Sequence, residues 1–362
     1  MRTLLITALA VAAVLGFGSG ARAQTDVAPA THEGDFVVRD FHFRSGEVLP
    51  KLRVHYTTLG TPRRDSAGHV VNAVMILHGT GGQGHNFIRP EFSGVLFGPG
   101  ALLDVSRYYV ILPDGIGHGK SSKPSDGLHA RFPHYDYDDM VEGQYQMLTK
   151  GLGVDHLRLI LGTSMGCMHS FVWGETHPGF MDALMPLACA PTQIAGRNRM
   201  WRKMVIDGIT ADPAWMGGDY KTEPQMALRI ASDMLVLAGS APLYMQKAEP
   251  TRDAADAYSR RVIDGYLGEL DANDMLYAVS ASRNYDPSAN LDRITVPVMW
   301  LNSADDFINP PELGIAEKLA LRLPHGRFIM IPISDQTRGH GTHTMAAVWQ
   351  DHLAELLKES QR

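Results

Sequence analysis

The run Leu157-Arg158-Leu159-Ile160-Leu161 leads directly into Gly162-Thr163-Ser164-Met165-Gly166, and a helix-forming stretch from Cys167 to Trp173 follows. A buried strand that must reverse into a helix within a few residues needs a very tight backbone. The glycines at 162 and 166 leave room for it, and the serine at the apex must point its hydroxyl outward. A bare G-x-S-x-G arises often by chance; the strand–turn–helix context is the condition that gives it meaning. Ser164 is therefore read as a candidate nucleophile on an elbow.

The surrounding pattern fits such an elbow. Residues 36–43 and 52–58 alternate as strands do, with a turn around Ser45-Gly46-Glu47, and read as an antiparallel opening pair. Short apolar strands are then expected at 73–77, 108–112, 157–161, 183–187, 298–301 and 327–331. Helices are expected at 137–150, 165–176, 311–321 and 342–360. This alternation implies a mostly parallel sheet with helices on both faces. It stops between Ala190 and about Asn290, where helix formers and Met200, Met204, Met216, Met226, Met234 and Met245 are found. We read residues 190–290 as a helical cap inserted into a core of residues 36–189 and 291–362. The methionines read first as adaptable cap core, with an acyl pocket or a homodimer contact as alternatives.

Arg2, the apolar run 4–17 and Ala21-Arg22-Ala23 have the layout of a secretory signal peptide over residues 1–23, cleaved before Gln24. A periplasmic or secreted location is the expectation, with residues 24–35 as a flexible leader. No later segment is apolar enough to span a bilayer, so no membrane attachment is expected after cleavage. The net charge of −6 offers nothing to a nucleic acid. The two cysteines, Cys167 and Cys189, fit either one bridge in an oxidising compartment or two buried thiols.

A serine hydroxyl needs a base, and the base needs an orienting acid. After such an elbow the partners follow in the order acid, then histidine. Beyond the strand at 298–301 the chain reads Asn302-Ser303-Ala304-Asp305-Asp306, and either aspartate fits by position. Past the last strand comes Gly339-His340-Gly341-Thr342-His343. The Gly-His pair between final strand and final helix favours His340, with His343 as the alternative. Their spacing alone does not make a metal site, since no H-E-x-x-H or carboxylate pattern accompanies it. Neither metal nor cofactor is expected. An oxyanion would be held by the backbone N–H of Met165 and by one from the loop His78-Gly79-Thr80-Gly81-Gly82, with Thr80 the favoured donor.

Two glycine-rich stretches imitate nucleotide loops. Residues 79–84 match G-x-G-x-x-G, but Pro90 argues against the helix a dinucleotide site requires. Residues 115–121 suggest a phosphate loop, but Asp114 stands where the Walker spacing demands glycine.

From about Leu52 to the C-terminus the chain resembles the homoserine O-acetyltransferase family of the α/β-hydrolase superfamily. The resemblance is carried by Tyr56-Thr57-Thr58-Leu59-Gly60, Gly98-Pro99-Gly100 with Asp104 and Arg107-Tyr108, and Ser164-Met165-Gly166-Cys167-Met168 with Trp173 and Pro178. Asp212-Pro213-Ala214-Trp215, the loop from Asp306 to Pro311, and Gly339-His340 complete it. It implies an α/β-hydrolase fold, an acyl-enzyme on Ser164, and a cap that shapes the acceptor site. Asp306, four residues before Pro310, has the family's D-x-x-x-P spacing and is favoured as the acid. Gly341 replaces the aspartate that usually follows the family's histidine and can hold the amine of homoserine. Cys167 replaces a usual glycine, and residues 114–122 replace a glycine-serine run.

An exported protein meets esters and water more readily than acyl-CoA. The leading expectation is thus a serine hydrolase acting on a small-molecule ester. An O-acyltransferase passing the acyl group to a hydroxyl is the alternative, and a non-catalytic binding protein on the same scaffold is a third reading.

Overall fold

Five strands buried along their whole length form the centre of the sheet: β3 (Ala73–Leu77), β4 (Tyr109–Pro113), β5 (Leu159–Thr163), β6 (Leu184–Leu187) and β7 (Val298–Ser303). With β1 (Thr31–His42), β2 (Val48–Leu59) and β8 (Gly326–Ile331) they make one sheet in the order β1-β2-β4-β3-β5-β6-β7-β8. The computed structural model describes residues 30–361; the expected signal peptide and residues 24–29 of the expected leader lie outside that span. The pairs β1–β2 and β2–β4 are antiparallel, and all others are parallel. Near-continuous apolar strands are what a sheet covered on both faces requires.

Ten α-helices accompany the sheet among the described residues. In chain order they are α1 (Ser93–Leu96), α2 (Tyr137–Gln146), α3 (Met165–Thr176), α4 (Gly196–Ala211), α5 (Gln225–Gly239), α6 (Pro242–Ala248), α7 (Arg252–Glu269), α8 (Ala272–Ser280), α9 (Ile315–Ala320) and α10 (Ala346–Glu359). α2 and α3 pack on one face, where Met140, Phe171 and Trp173 join the core. α1 and α10 cover the other, where Leu96, Trp349 and Leu353 do the same. α4 to α8 form the insertion between β6 and β7 and have a small core of their own, including Trp201, Val205, Ile209, Leu228 and Met275.

Several expectations need correction. Residues 31–35 are not a mobile leader: Thr31 to Asp35 pair with Leu59 to His55. Their side chains are mostly exposed, so no hydrophobic pattern announces the strand; backbone pairing and an Asp35–His55 contact of 2.7 Å hold it. The six cap methionines singled out in the sequence do not form its core, which takes Met275 instead. Met200, Met204, Met216 and Met226 are exposed, while Met234 and Met245 are half-buried. The helix expected at 311–321 is broken by Gly314, whose φ of +57° ends a short turn before α9 begins. Of the two readings open for the cysteines the bridge is the one found: a Cys167–Cys189 disulfide ties the first turn of α3 to the segment leaving β6.

Candidate active site

β5 ends at Thr163, and α3 starts two residues later. Ser164 between them has φ +54° and ψ −108°, a backbone conformation that costs a non-glycine residue energy and is held by its surroundings. Its N–H donates to the Leu187 carbonyl at 2.8 Å, and the Gly166 N–H donates to the His78 carbonyl at 2.9 Å. The glycines are there for close approach. A Cβ at Gly162 would stand 2.0 Å from the Gly166 carbonyl oxygen, and one at Gly166 would stand 2.2 Å from that of Leu77.

The loop after β3 passes directly against this turn: a Cβ at Gly79 would lie 3.2 Å from Ser164 Cβ. Gly82 N–H closes the loop onto the Gly79 carbonyl at 3.0 Å, and Thr80 lines the cavity above Ser164. His78 braces it from below. Its Nε2 accepts from Gly115 N–H at 2.9 Å and its Nδ1 faces the Gly79 carbonyl at 2.9 Å, an arrangement that needs the neutral ring. Burial pushes this histidine down to about 4, only partly offset by the Gly79 bond. The false phosphate loop is thereby explained. Asp114 accepts from Gly84 and Lys120 N–H groups at 2.7 and 2.8 Å, folding the turn that presents Gly115 to His78.

Asp306 follows β7 and is buried. Its Oδ1 accepts from Ile308 N–H at 2.7 Å and its Oδ2 from the Asn309 side-chain amide at 3.0 Å. Burial raises its carboxyl, but the facing His340 charge and the bonds from His340, Asn309 and Ile308 outweigh it and hold the group below its ordinary value. His340 Nδ1 stands 3.0 and 3.1 Å from the two carboxylate oxygens, and His340 Nε2 stands 2.7 Å from Ser164 Oγ. The structure thus joins Ser164, His340 and Asp306 in one hydrogen-bonded line.

The alternatives lie outside it. Asp305 accepts from the hydroxyls of Ser303 and Thr337, tying the loop after β7 to the segment that carries His340. His343 packs with its ring centroid 5.2 Å from that of His340, and burial, followed by the His340 charge, pushes it down to about 3. Asn309 orients the acid while donating to the Ala188 carbonyl at 3.1 Å; its place as the third residue after Asp306 is the only sequence signal for it. The cap motif Asp212-Pro213-Ala214-Trp215 is a clasp. Asp212 accepts from Ala214 and Ala227 N–H groups at 2.8 and 3.0 Å, and Trp215 donates to Asn273 at 2.9 Å.

Ser164 and His340 open on a cavity of about 880 Å³ roofed by the cap, with Met168, Ile194, Leu235 and Ile308 among its walls. Such a site can support nucleophilic attack on a carbonyl held in a largely apolar enclosure.

The model of the α/β hydrolase fold family matches residues 72–334. A probable acyltransferase of Methanothermobacter thermautotrophicus is 30% identical over 307 residues, covering 84% of this chain and 91% of that protein. A homoserine O-acetyltransferase of Thermobifida fusca is 28% identical over 320 residues, covering 77% and 82%. The solved acetylester hydrolase from Corynebacterium glutamicum superposes with a TM-score of 0.79 at 20% identity, covering 90% of this chain and 96% of that one. The chain belongs to the α/β-hydrolase fold family, within its homoserine O-acetyltransferase-like members, and is an enzyme of esterase or acyltransferase type.

Proposed function

We propose that this protein is an exported serine esterase that works through an acyl-enzyme. The observation that carries the reading is the line from Asp306 through His340 to Ser164, ending in the cavity. Ser164 Oγ attacks the ester carbonyl and its proton passes to His340 Nε2, while Asp306 stabilises the imidazolium through Nδ1–H. The N–H groups of Met165 and Thr80 receive the oxyanion. Collapse of the adduct expels the alcohol, which takes the proton from His340. Water then attacks the acyl-enzyme with His340 again as base, releasing the acid and free Ser164. The proposed steps use neither metal nor cofactor.

Hydrolysis is favoured over transfer by Gly341, which lines the cavity next to His340 and presents no charge to an amino-acid acceptor. The signal-peptide pattern over residues 1–23 supports a periplasmic or secreted location. Acyl transfer is the second reading, supported by what the curated relatives are named for.

The test is turnover of p-nitrophenyl acetate by the mature protein with and without L-homoserine, with all acyl products identified by mass. Free acetate should be the product, and Ser164→Ala should lower kcat by a factor on the order of a million. Acetyl-homoserine as the main product would establish the transferase instead, and a fully active Ser164→Ala would remove the nucleophile assignment.

A further inference from the structure

The segment that carries His340 leaves β8 and runs directly against the cap. Gly339, the residue before His340, has φ +59°, and a Cβ there would stand 2.9 Å from the Ser240 carbonyl oxygen, 3.1 Å from Ala241 Cβ and 3.2 Å from the Asp305 carbonyl oxygen. Ser240 and Ala241 form the corner between α5 and α6, which meet at a bend of 100°. The chain just ahead of the histidine is thus wedged between that corner and the loop after β7, where only glycine fits.

The backbone of this segment is braced on the core side. Arg338 N–H donates to Thr342 Oγ1 at 2.8 Å, and that hydroxyl donates to Ser303 Oγ at 3.3 Å. Gly341 N–H closes on the Arg338 carbonyl at 3.1 Å. On the cap side the tie is the Arg338 side chain. One terminal nitrogen donates to the Asp335 and Thr337 carbonyls at 2.8 Å each, and Cζ lies 3.8 Å from the centroid of the Tyr244 ring on α6. A guanidinium at that separation is attracted to the face of the ring. Lys247 also meets Asp335 at 3.1 Å, but both side chains are well exposed and the pair holds little.

The same corner continues the cavity wall. Leu235, Ala238 and Gly239, at the end of α5, line the cavity, and Ser240 follows them immediately. Placement is critical at His340 because its Nε2 serves two oxygens in turn: it takes the proton of Ser164 Oγ, 2.7 Å away, and then gives it to the leaving oxygen. A misplacement of about 1 Å in such a geometry costs on the order of 100-fold in rate.

We propose that Arg338 and Tyr244 are positioning residues for the ester hydrolysis: their contact clamps the histidine segment to the α5–α6 corner and so fixes where His340 Nε2 stands. This rests on the acyl-enzyme reading of Ser164 and His340 and adds the cap to the parts which that reaction needs. Neither side chain is among those lining the cavity, so the clamp acts on the proton transfers and not on the fit of the ester.

The experiment measures kcat and KM for p-nitrophenyl acetate, and the rate at which diethyl p-nitrophenyl phosphate labels Ser164, in the wild type and in Tyr244→Ala, Tyr244→Phe, Arg338→Met and Arg338→Lys. Each is assayed at a temperature where circular dichroism shows it folded. Acylation and deacylation both pass through His340, so Tyr244→Ala and Arg338→Met should lower kcat by a factor on the order of 10 to 100, hold KM within about twofold and slow labelling in proportion. Tyr244→Phe keeps the ring face and should match the wild type. Arg338→Lys keeps a cation without the paired bonds to two carbonyls and should fall between. A merely structural role would lower Tm and spare the kcat of the folded enzyme. Wild-type kcat in folded Tyr244→Ala and Arg338→Met, a loss confined to KM, or a Tyr244→Phe enzyme as slow as Tyr244→Ala would each overturn the proposal. A wild type that turns over no ester and stays unlabelled would overturn the acyl-enzyme reading itself, and the clamp with it.

Discussion

Exchanging Asp306 for asparagine removes a charge and turns one of two acceptor oxygens into a donor. Both oxygens are in use: one accepts from Ile308 N–H, the other from the Asn309 amide, and both face His340 Nδ1. Whichever way the new amide turns, its NH2 meets a donor that cannot accept. The imidazole responds by moving its proton to Nε2, facing Ser164 Oγ at 2.7 Å, where it can no longer take the serine's proton. The same exchange in a serine-protease triad lowers kcat about ten-thousand-fold, which corresponds to about 5 kcal/mol in the barrier. The donor left unpaired costs the fold a further ~2 kcal/mol. Asp305→Asn is the control. Its partners are hydroxyls, which accept as well as donate, so its loss should stay within about tenfold. The assay is kcat/KM for p-nitrophenyl acetate, normalised to folded protein by circular dichroism. An Asp306→Asn enzyme that keeps a tenth of the wild-type rate, or an Asp305→Asn enzyme equally impaired, would refute the reasoning.

Two further outcomes concern stability. The Cys167–Cys189 bond spans 22 residues, a loop whose closure contributes about 3 kcal/mol by chain entropy. The double Cys→Ala variant should therefore melt several degrees lower, while the wild type should lose two hydrogens' mass on oxidation from the reduced denatured chain; equal melting temperatures would refute this. His118 donates from Nδ1 to the Ile116 carbonyl at 3.0 Å, its Nε2 is buried without a partner, and burial followed by the His78 charge pushes it down to about 3. A histidine depressed from 6.5 on folding binds its proton more readily in the unfolded chain, so its contribution is present above pH 6.5 and is lost on acidification toward 3. Relative to His118→Asn, the wild type should lose about 1.4 kcal/mol per pH unit across that window in urea melts, and parallel curves would contradict it.

The best-read elements are those with a hard boundary at each end. β3 falls at 73–77 and α3 at 165–176, as their sequence patterns indicate, because one is a fully buried strand cut off by His78-Gly79 and the other begins at the elbow. The apolar run 157–161 points to a strand two residues ahead of β5: Gly162 and Thr163 look like the start of the turn, yet they stay extended between Leu77 and Leu187. Thr31 to Asp35 carry no sequence signal because an edge strand can be held by backbone bonds with little apolar content. The elbow serine and the Gly-His pair could be read from spacing. Asp305 and Asp306 could not be separated that way, since adjacent residues in a turn differ only in direction. The sequence gives no signal that Arg202 is buried, at 2% exposure. On a helix whose neighbours Arg197, Arg199 and Lys203 are also cationic, nothing local says which guanidinium points inward.

The chain separation within the triad also sets an order in time. Ser164 and His340 are 176 residues apart, and Asp306 and His340 are 34 apart. At about 5–20 residues per second, a ribosome that has made the serine needs on the order of 10–35 seconds more to make the histidine. On the mechanism proposed above, the emerging polypeptide carries throughout that interval a hydroxyl with no base, and a chain stalled or clipped before residue 340 would stay inert however well its first strands have formed. By that mechanism the enzyme would be silent during its own manufacture, and appearance of turnover would report that the last loop has reached the first half of the sheet.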